Sequence, residues 1–284
     1  MENLTNISVV REIMERHGFS FSKALGQNFI VNPSVCPKIA EMGNARKGFG
    51  VIEIGTGVGV LTHELAKRAD RVTAVEIDQR LLPILSETLA EHDNIHIINA
   101  DVMKTDLKKV IAEDFDGLEA AVCANLPYYI TSPIIMYLLE ERLPVRSITV
   151  MVQKEAGVRL CAEPGTRECG AVSLAVSYYA EPKLLFNVSR GSFMPSPNVD
   201  SCVIRLDIRE EPAVSVRDEV FLFKVIRGAF SQRRKTFANS VTTAGISKER
   251  AVMALEQAGI QPNIRPEQLT LEQFGMIADI LLQT

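Results

Sequence analysis

From about residue 45 onward, apolar residues fall into short unbroken runs separated by stretches in which they recur at helical spacing. Residues 51–54, 71–76, 95–99, 119–124 and 147–153 read as strands, and 60–68, 79–91, 132–141 and 154–160 as helices. Strands that are apolar throughout have no face to offer water, so they belong in a parallel sheet covered on both sides by the intervening helices. The expectation is a doubly wound α/β domain.

The rhythm changes near Cys169. Residues 171–179 fit helix or strand, whereas 183–188 and 201–208 read as successive strands joined by Phe193-Met194-Pro195-Ser196-Pro197. With no helix between them, they suit an antiparallel hairpin at a sheet edge. Beyond Glu210-Glu211-Pro212, residues 218–230, 248–258 and 271–282 have helical spacing, with turns at Gly245 and from Gly259 to Pro266. The pattern therefore divides the chain into an α/β domain at 1–212 and a small all-helical domain at 213–284.

Composition narrows the function classes. With 284 residues, 46% hydrophobic and 23% charged, the chain has enough material for a proper core and is not a disordered or stapled miniature protein. A net charge of -4 argues against a protein that coats nucleic acid by bulk attraction. The N-terminal stretch carries Glu2, Arg11 and Glu12 and no secretory apolar core, and no uncharged run is long enough to span a membrane. Five scattered cysteines without a C-x-x-C pair read as reduced thiols of a cytoplasmic protein. The four histidines show no zinc-ligand spacing, so no metal site is expected.

The first strand breaks into Gly55-Thr56-Gly57-Val58-Gly59, where glycines permit a sharp turn and close approach to a ligand. A tight turn packing helix on strand would need the same residues. Glu76, ending the next strand, is placed to accept hydrogen bonds from ribose hydroxyls. The third strand runs into Asp101, which suits an adenine amine or, equally, a helix cap, with Ile77 and Val102 available to cover the ring. The G-x-G-x-G spacing does not favour a dinucleotide pyrophosphate. Three successive strand ends offering such groups favour S-adenosylmethionine.

The fourth strand enters Asn125-Leu126-Pro127-Tyr128, which resembles the tetrapeptide that amino methyltransferases set against exocyclic amines of bases, in its adenine-N6 form. The adenine amine is a poor nucleophile because its lone pair is delocalised. Acceptors at the Asn125 side chain and the Leu126 carbonyl would favour a pyramidal nitrogen and aim its lone pair. Pro127 would fix the loop and Tyr128 would stack on the base. The bland alternative is a structural turn with a half-buried tyrosine.

Together with the stretch 23–30 (Lys-Ala-Leu-Gly-Gln-Asn-Phe-Ile), Gln153-Lys154-Glu155 and the Phe193 to Ser201 loop, these motifs resemble the rRNA adenine N6-dimethyltransferase family over nearly the whole chain. The resemblance implies a class I, Rossmann-like methyltransferase fold and S-adenosylmethionine as methyl donor. It implies dimethylation of two adjacent adenosines in the hairpin near the 3′ end of 16S rRNA, within the small (30S) ribosomal subunit or its precursor. It carries cofactor contacts over to Asn28, the Ile30 backbone, Gly55, Glu76, Asp101 and Asn125, and base stacking to Tyr128 and Phe193. Taken alone, Asn28 could be a turn residue and Phe193 a core residue.

A basic cluster completes the picture. Lys224, Arg227, Arg233, Arg234 and Lys235 lie in a segment without an acidic residue, and 213–284 carries +2 while 1–212 carries -6. This is either a solvated helical face or an RNA contact, and a base-modifying site favours the second. The chain is expected to act as a monomer. The competing readings are a 23S rRNA adenine methyltransferase of the macrolide-resistance type and a noncatalytic assembly factor of the small subunit.

Overall fold

A computed structural model of the chain describes residues 4–22, 25–232 and 234–283. In chain order its elements are α1 (Ile7–Arg16), β1 (Phe29–Ile30), α2 (Val35–Met42), β2 (Phe49–Ile54), α3 (Val60–Ala66), β3 (Arg71–Glu76), α4 (Leu82–Thr88), β4 (Ile95–Asn99) and α5 (Leu107–Asp114). There follow β5 (Glu119–Asn125), α6 (Thr131–Glu140), β6 (Ser147–Gln153), α7 (Lys154–Leu160), α8 (Ala171–Tyr179), β7 (Ala180–Val188), β8 (Phe193–Met194) and β9 (Ser201–Ile208). The last helices are α9 (Glu219–Ala229), α10 (Phe237–Ser240), α11 (Lys248–Gln257) and α12 (Leu271–Gln283). Every strand expected from the apolar runs forms.

The chain groups into two compact units, one comprising the residues up to Gly157 with Lys183–Ile208, the other Val158–Pro182 with the residues from Arg209 onward. The division expected at 212 puts 158–182 with the sheet. Tyr178 and Tyr179 show why these residues join the helices instead: both hydroxyls donate to Glu219 of α9, at 3.0 and 2.7 Å, and both rings pack on Phe223. Apolar spacing shows that a segment will be buried, without showing against what.

The first unit holds a seven-stranded sheet in the order β4-β3-β2-β5-β6-β9-β7. Strands β2 to β6 pair in parallel, and β9 runs antiparallel to β6 from Ser201 opposite Gln153 to Asp207 opposite Ser147. All residues of β2 and β6 are buried or nearly so, which explains their unbroken apolar runs, whereas edge strand β4 is only partly covered. The chain steps from β2 outward to β3 and β4, then returns to the other side of β2 at β5. That reversal leaves a crevice beyond the carboxyl ends of β2 and β5.

Two helices lie outside the expected elements. α1 and α5 each bury residues at helical spacing, Val10, Ile13 and Met14 in one and Leu107 and Ile111 in the other, and each starts at a cap: Asn6 accepts from Ser8 N–H at 2.9 Å and Asp106 from Lys109 N–H at 3.0 Å. The expected helix 79–91 is a 3₁₀ turn at Gln79–Leu81 followed by a shorter α4, with Pro83 in its first turn. The second unit contains α8 to α12 around a core that includes Phe237 and Phe274, their rings packed edge to face. Among the described residues, no helix is long and apolar enough to cross a membrane.

Gly50 in β2 lies directly beneath the Phe115 ring, so an added Cβ would overlap it. Gly50→Ala is expected to lower stability by about 1–3 kcal/mol through overpacking, measured by urea unfolding.

Candidate active site

At the crevice, β2 and β5 end side by side, with Ile54 opposite Ala124. The backbone after β2 turns at once: Gly55 has φ +76° and donates its N–H to the Val75 carbonyl at 2.9 Å. Gly57, at φ +55°, is doubly constrained, because a Cβ there would also press on the Phe29 ring at 3.1 Å. These turns open a cleft whose empty space, including that open to solvent, is about 620 Å³. Asn28, Gly55, Glu76, Asn125, Leu126, Pro127 and Tyr128 all line it, as does Ile77. A smaller cavity of about 300 Å³ shares Asn28, Gly55 and Asn125 and adds Ile30 and Glu53.

Glu76 is buried, with one carboxylate oxygen accepting from the Thr56 N–H and hydroxyl at 2.8 and 2.9 Å and the other from the Asp78 N–H at 2.8 Å. Its orientation is thus set by the glycine turn and its own strand end. Asp78 in turn accepts a two-pronged contact from Arg80 and a 2.7 Å bond from Gln27. Those bonds hold its carboxyl below the usual range, the Arg80 contact first. Gln27 also accepts from Ser22 N–H, and Arg80 lies over the Phe19 ring at 5.0 Å. The N-terminal segment is therefore tied down beside the cleft through polar bonds and stacked rings.

Asn125 ends β5, and its Nδ2 donates to the Asn28 carbonyl at 3.2 Å. This bond fixes the amide so that Oδ1 is the atom left to accept. The Leu126 N–H is held by the Met151 carbonyl at 3.1 Å, and Pro127 sits at φ -59°. The half-buried Tyr128 shares a 2.6 Å hydrogen bond between its hydroxyl and that of Ser201. Burial raises the phenol pKa, against the pull of that bond, so Tyr128 presents a neutral ring.

Two expected residues, Asp101 and Phe193, do not border the cleft. Asp101 caps a 3₁₀ turn through the Met103 N–H at 3.0 Å. Phe193 is buried, 4% exposed, opposite Ile30 in the two-stranded β1–β8 ladder, which is the core position its sequence also allowed. The exposed aromatic on the cleft wall is instead Tyr129, 61% exposed. In the second unit, Lys224 and Arg227 lie one turn apart on the exposed face of α9, and Arg234 and Lys235 are exposed after it. Arg233 lies outside the described residues.

Glu53, the acid that heads the glycine motif but is not among the expected contacts, borders the smaller cavity, and a carboxylate inside an apolar strand is itself a signal. It is fully buried at the next-to-last position of β2, with no hydrogen bond of full geometry to either carboxylate oxygen and the Thr62 hydroxyl as its polar neighbour. Burial pushes its pKa up to about 8, the Thr62 hydroxyl opposing and the Glu76 charge adding to the rise. In its protonated form such a carboxyl can both donate and accept a hydrogen bond.

A reversing parallel sheet with an antiparallel strand inserted at one side, a glycine turn after β2 and a carboxylate ending β3 constitutes a class I S-adenosylmethionine-dependent methyltransferase fold. Residues 18–283 match the profile of ribosomal RNA adenine dimethylases, and the chain belongs to that family. Relatives named ribosomal RNA small subunit methyltransferase A, from Bacillus thuringiensis (strain Al Hakam) and Bacillus mycoides (strain KBAB4), are each 47% identical over 287 residues, spanning 99% of this chain and 98% of theirs. A dimethyladenosine transferase from Plasmodium falciparum superposes with TM-score 0.72 at 26% identity, over 88% of this chain and 95% of that one. The 23S rRNA methyltransferase ErmE does so with TM-score 0.66 at 27% identity, over 90% and 100%.

The Glu53 carboxyl gives a pH signature. Unfolded, it ionises in the ordinary carboxylate range; folded, it keeps its proton to about pH 8, so the folded state binds more protons between these limits. Stability should therefore fall as pH rises through that window, with a limiting slope of about 1.4 kcal/mol for each pH unit crossed. Glu53→Gln should flatten this part of the curve in denaturant titrations run from pH 5 to about 8.

Proposed function

We propose that this protein transfers methyl groups from S-adenosylmethionine to N6 of two adjacent adenosines in the 3′-terminal hairpin loop of 16S rRNA, in the small subunit or its precursor. It would act as a cytoplasmic monomer. The observation that carries the reading is Asn125-Leu126-Pro127-Tyr128 on the wall of the same cleft as Glu76 and Gly55. Identity of 47% to small-subunit methyltransferases over nearly the whole chain, against 27% to the 23S enzyme, supports the 16S substrate.

The cleft suits the donor. Gly55 and Gly57 leave the backbone bare for close approach, and Glu53 borders the adjoining cavity. A carboxylate has about four lone-pair sites, and Glu76 uses three on the N–H and hydroxyl of Thr56 and the N–H of Asp78. Rotation of the Thr56 hydroxyl toward the Gly57 carbonyl, now 3.4 Å away, would free a second site for a ribose diol. The donor supplies an electrophilic sulfonium methyl.

The chain's own residues then orient the acceptor. Asn125 Oδ1 and the Leu126 carbonyl accept from the two N–H groups of adenine N6, which shifts its lone pair out of the ring. Tyr128 stacks on the base, a contact of about 1–3 kcal/mol, from a position fixed by Ser201. The nitrogen becomes acidic only after transfer and then loses its proton to water, so no strong base is required. In the second transfer one N–H remains, and one acceptor goes unpaired.

The test is incubation with radiolabelled S-adenosylmethionine and 30S subunits lacking the mark, followed by mapping of the label. Label on both hairpin adenosines is expected; label confined to 23S rRNA in 50S subunits would overturn the reading. In the same assay Asn125→Ala should lower turnover by about 10²–10³-fold with cofactor binding largely kept, measured calorimetrically.

Lys224, Arg227, Arg234 and Lys235, with Arg233, are proposed to contact RNA phosphates. Replacing Arg234 and Lys235 by Ala should reduce the salt dependence of RNA binding by about 0.7–0.9 in log–log slope for each phosphate that is no longer neutralised. An unchanged slope would leave the cluster as a solvated face.

A further inference from the structure

Where α3 passes the end of α4, three side chains of metal-ligand type meet away from the cleft. His63 Nδ1 lies 2.7 Å from His92 Nε2, and Glu91 Oε1 is 3.6 Å from each nitrogen. One ligand atom from each residue falls within 4.8 Å of the others. We propose that His63, Glu91 and His92 form a binding site for a divalent transition-metal ion of the zinc type, which clips α3 to the turn after α4. The sequence hides it: His63 is far from Glu91 and His92 along the chain, and linear spacing alone predicts no metal site.

The distances suit such an ion. Zinc holds imidazole nitrogen and carboxylate oxygen at about 2.0–2.2 Å, so tetrahedral ligand atoms stand about 3.3–3.5 Å apart. Both nitrogen–oxygen separations are already close to this. The nitrogens are nearer because they share a hydrogen bond, yet the ring centroids are 4.9 Å apart. Two imidazoles on one tetrahedral ion would have centroids about 5.1 Å apart. The ring centroids thus already stand close to the spacing a shared ion needs, and the two nitrogens have to part by about 0.6–0.8 Å.

The surroundings agree. The histidine side chains are 15% and 11% exposed and Glu91 is 48% exposed, so the site is walled on one side and open on the other, giving an entry path. Glu64, itself paired with Lys67 and Arg68, places Oε1 3.9 Å from His63 Nε2, so acidic charge stands near the ring's other nitrogen. Two imidazoles select zinc, copper or nickel over magnesium or calcium, which prefer oxygen ligands. The clip would brace a contact that is already close: a Cβ on Gly59, just before α3, would stand 3.0 Å from Leu89.

The full-length protein, stripped of metal with a chelator, is titrated with Zn²⁺ alone by calorimetry and with Co²⁺ by absorption spectroscopy. One equivalent is expected to bind, to raise the thermal midpoint, and to give a cobalt spectrum without a thiolate charge-transfer band. His63→Ala and His92→Ala should each weaken binding by about tenfold or more. Glu91→Gln, at an exposed position that leaves the fold intact, should weaken it measurably and decides the question should either histidine variant unfold. Absence of binding, affinity unchanged in Glu91→Gln, or a thiolate band placing the ion on cysteine would overturn the proposal.

Discussion

The parallel pairing of β2 with β5, running from Phe49 opposite Glu119 to Ile54 opposite Ala124, governs where the chemistry can stand. Because the two strands end at the same level, the Gly55 turn and the Asn125 side chain face one crevice although they are distant along the chain. β3, paired to the other side of β2, brings Glu76 to the same rim. A slip of one residue in either ladder would turn Glu53 and Asn125 to the opposite face of the sheet. The apolar character of these strands thus does more than fill a core: it fixes the register on which the site depends.

The second requirement is a cover, and the N-terminal segment provides it. Its aromatic residues stack on one another, Phe19 on Phe29 and Phe21 against Phe29, while Gln27 and Arg80 converge on Asp78. Arg16 and His17 hold Glu87 at 2.9 and 2.6 Å, anchoring the end of α1 to α4. The bond from Asn125 to the Asn28 carbonyl joins this cover to the strand end it protects. Cover and the loop after β5 therefore order each other.

Much of this is legible in the sequence because sheet and helix impose periods, and because the strand-end residues are chemically unusual for their places. The seven strands of the main sheet, the glycine turn, Glu76 and the Asn125 to Tyr128 loop can all be found that way. What cannot be found depends on packing partners. Residues 171–179 are ambiguous because a segment buried all round has no face to show, and their attachment to the helices hangs on Glu219 and Phe223. Phe193 carries two readings, and its pairing opposite Ile30 is a long-range contact that no local pattern announces. The isolation of the Glu53 carboxyl is likewise visible only once its neighbours are in place.

The hydrogen bond between Tyr128 and Ser201 has a further consequence. It fastens the loop after β5 to the first residue of β9, so the stacking ring belongs to the rigid sheet and not to a mobile flap. In the proposed reaction the work of deformation then falls on the RNA, which must lift its adenine out to meet an immobile surface. A rigid acceptor discriminates by how readily each nucleotide can leave its stack, and loop adenosines leave most easily. Selectivity of this kind needs no reading of neighbouring bases.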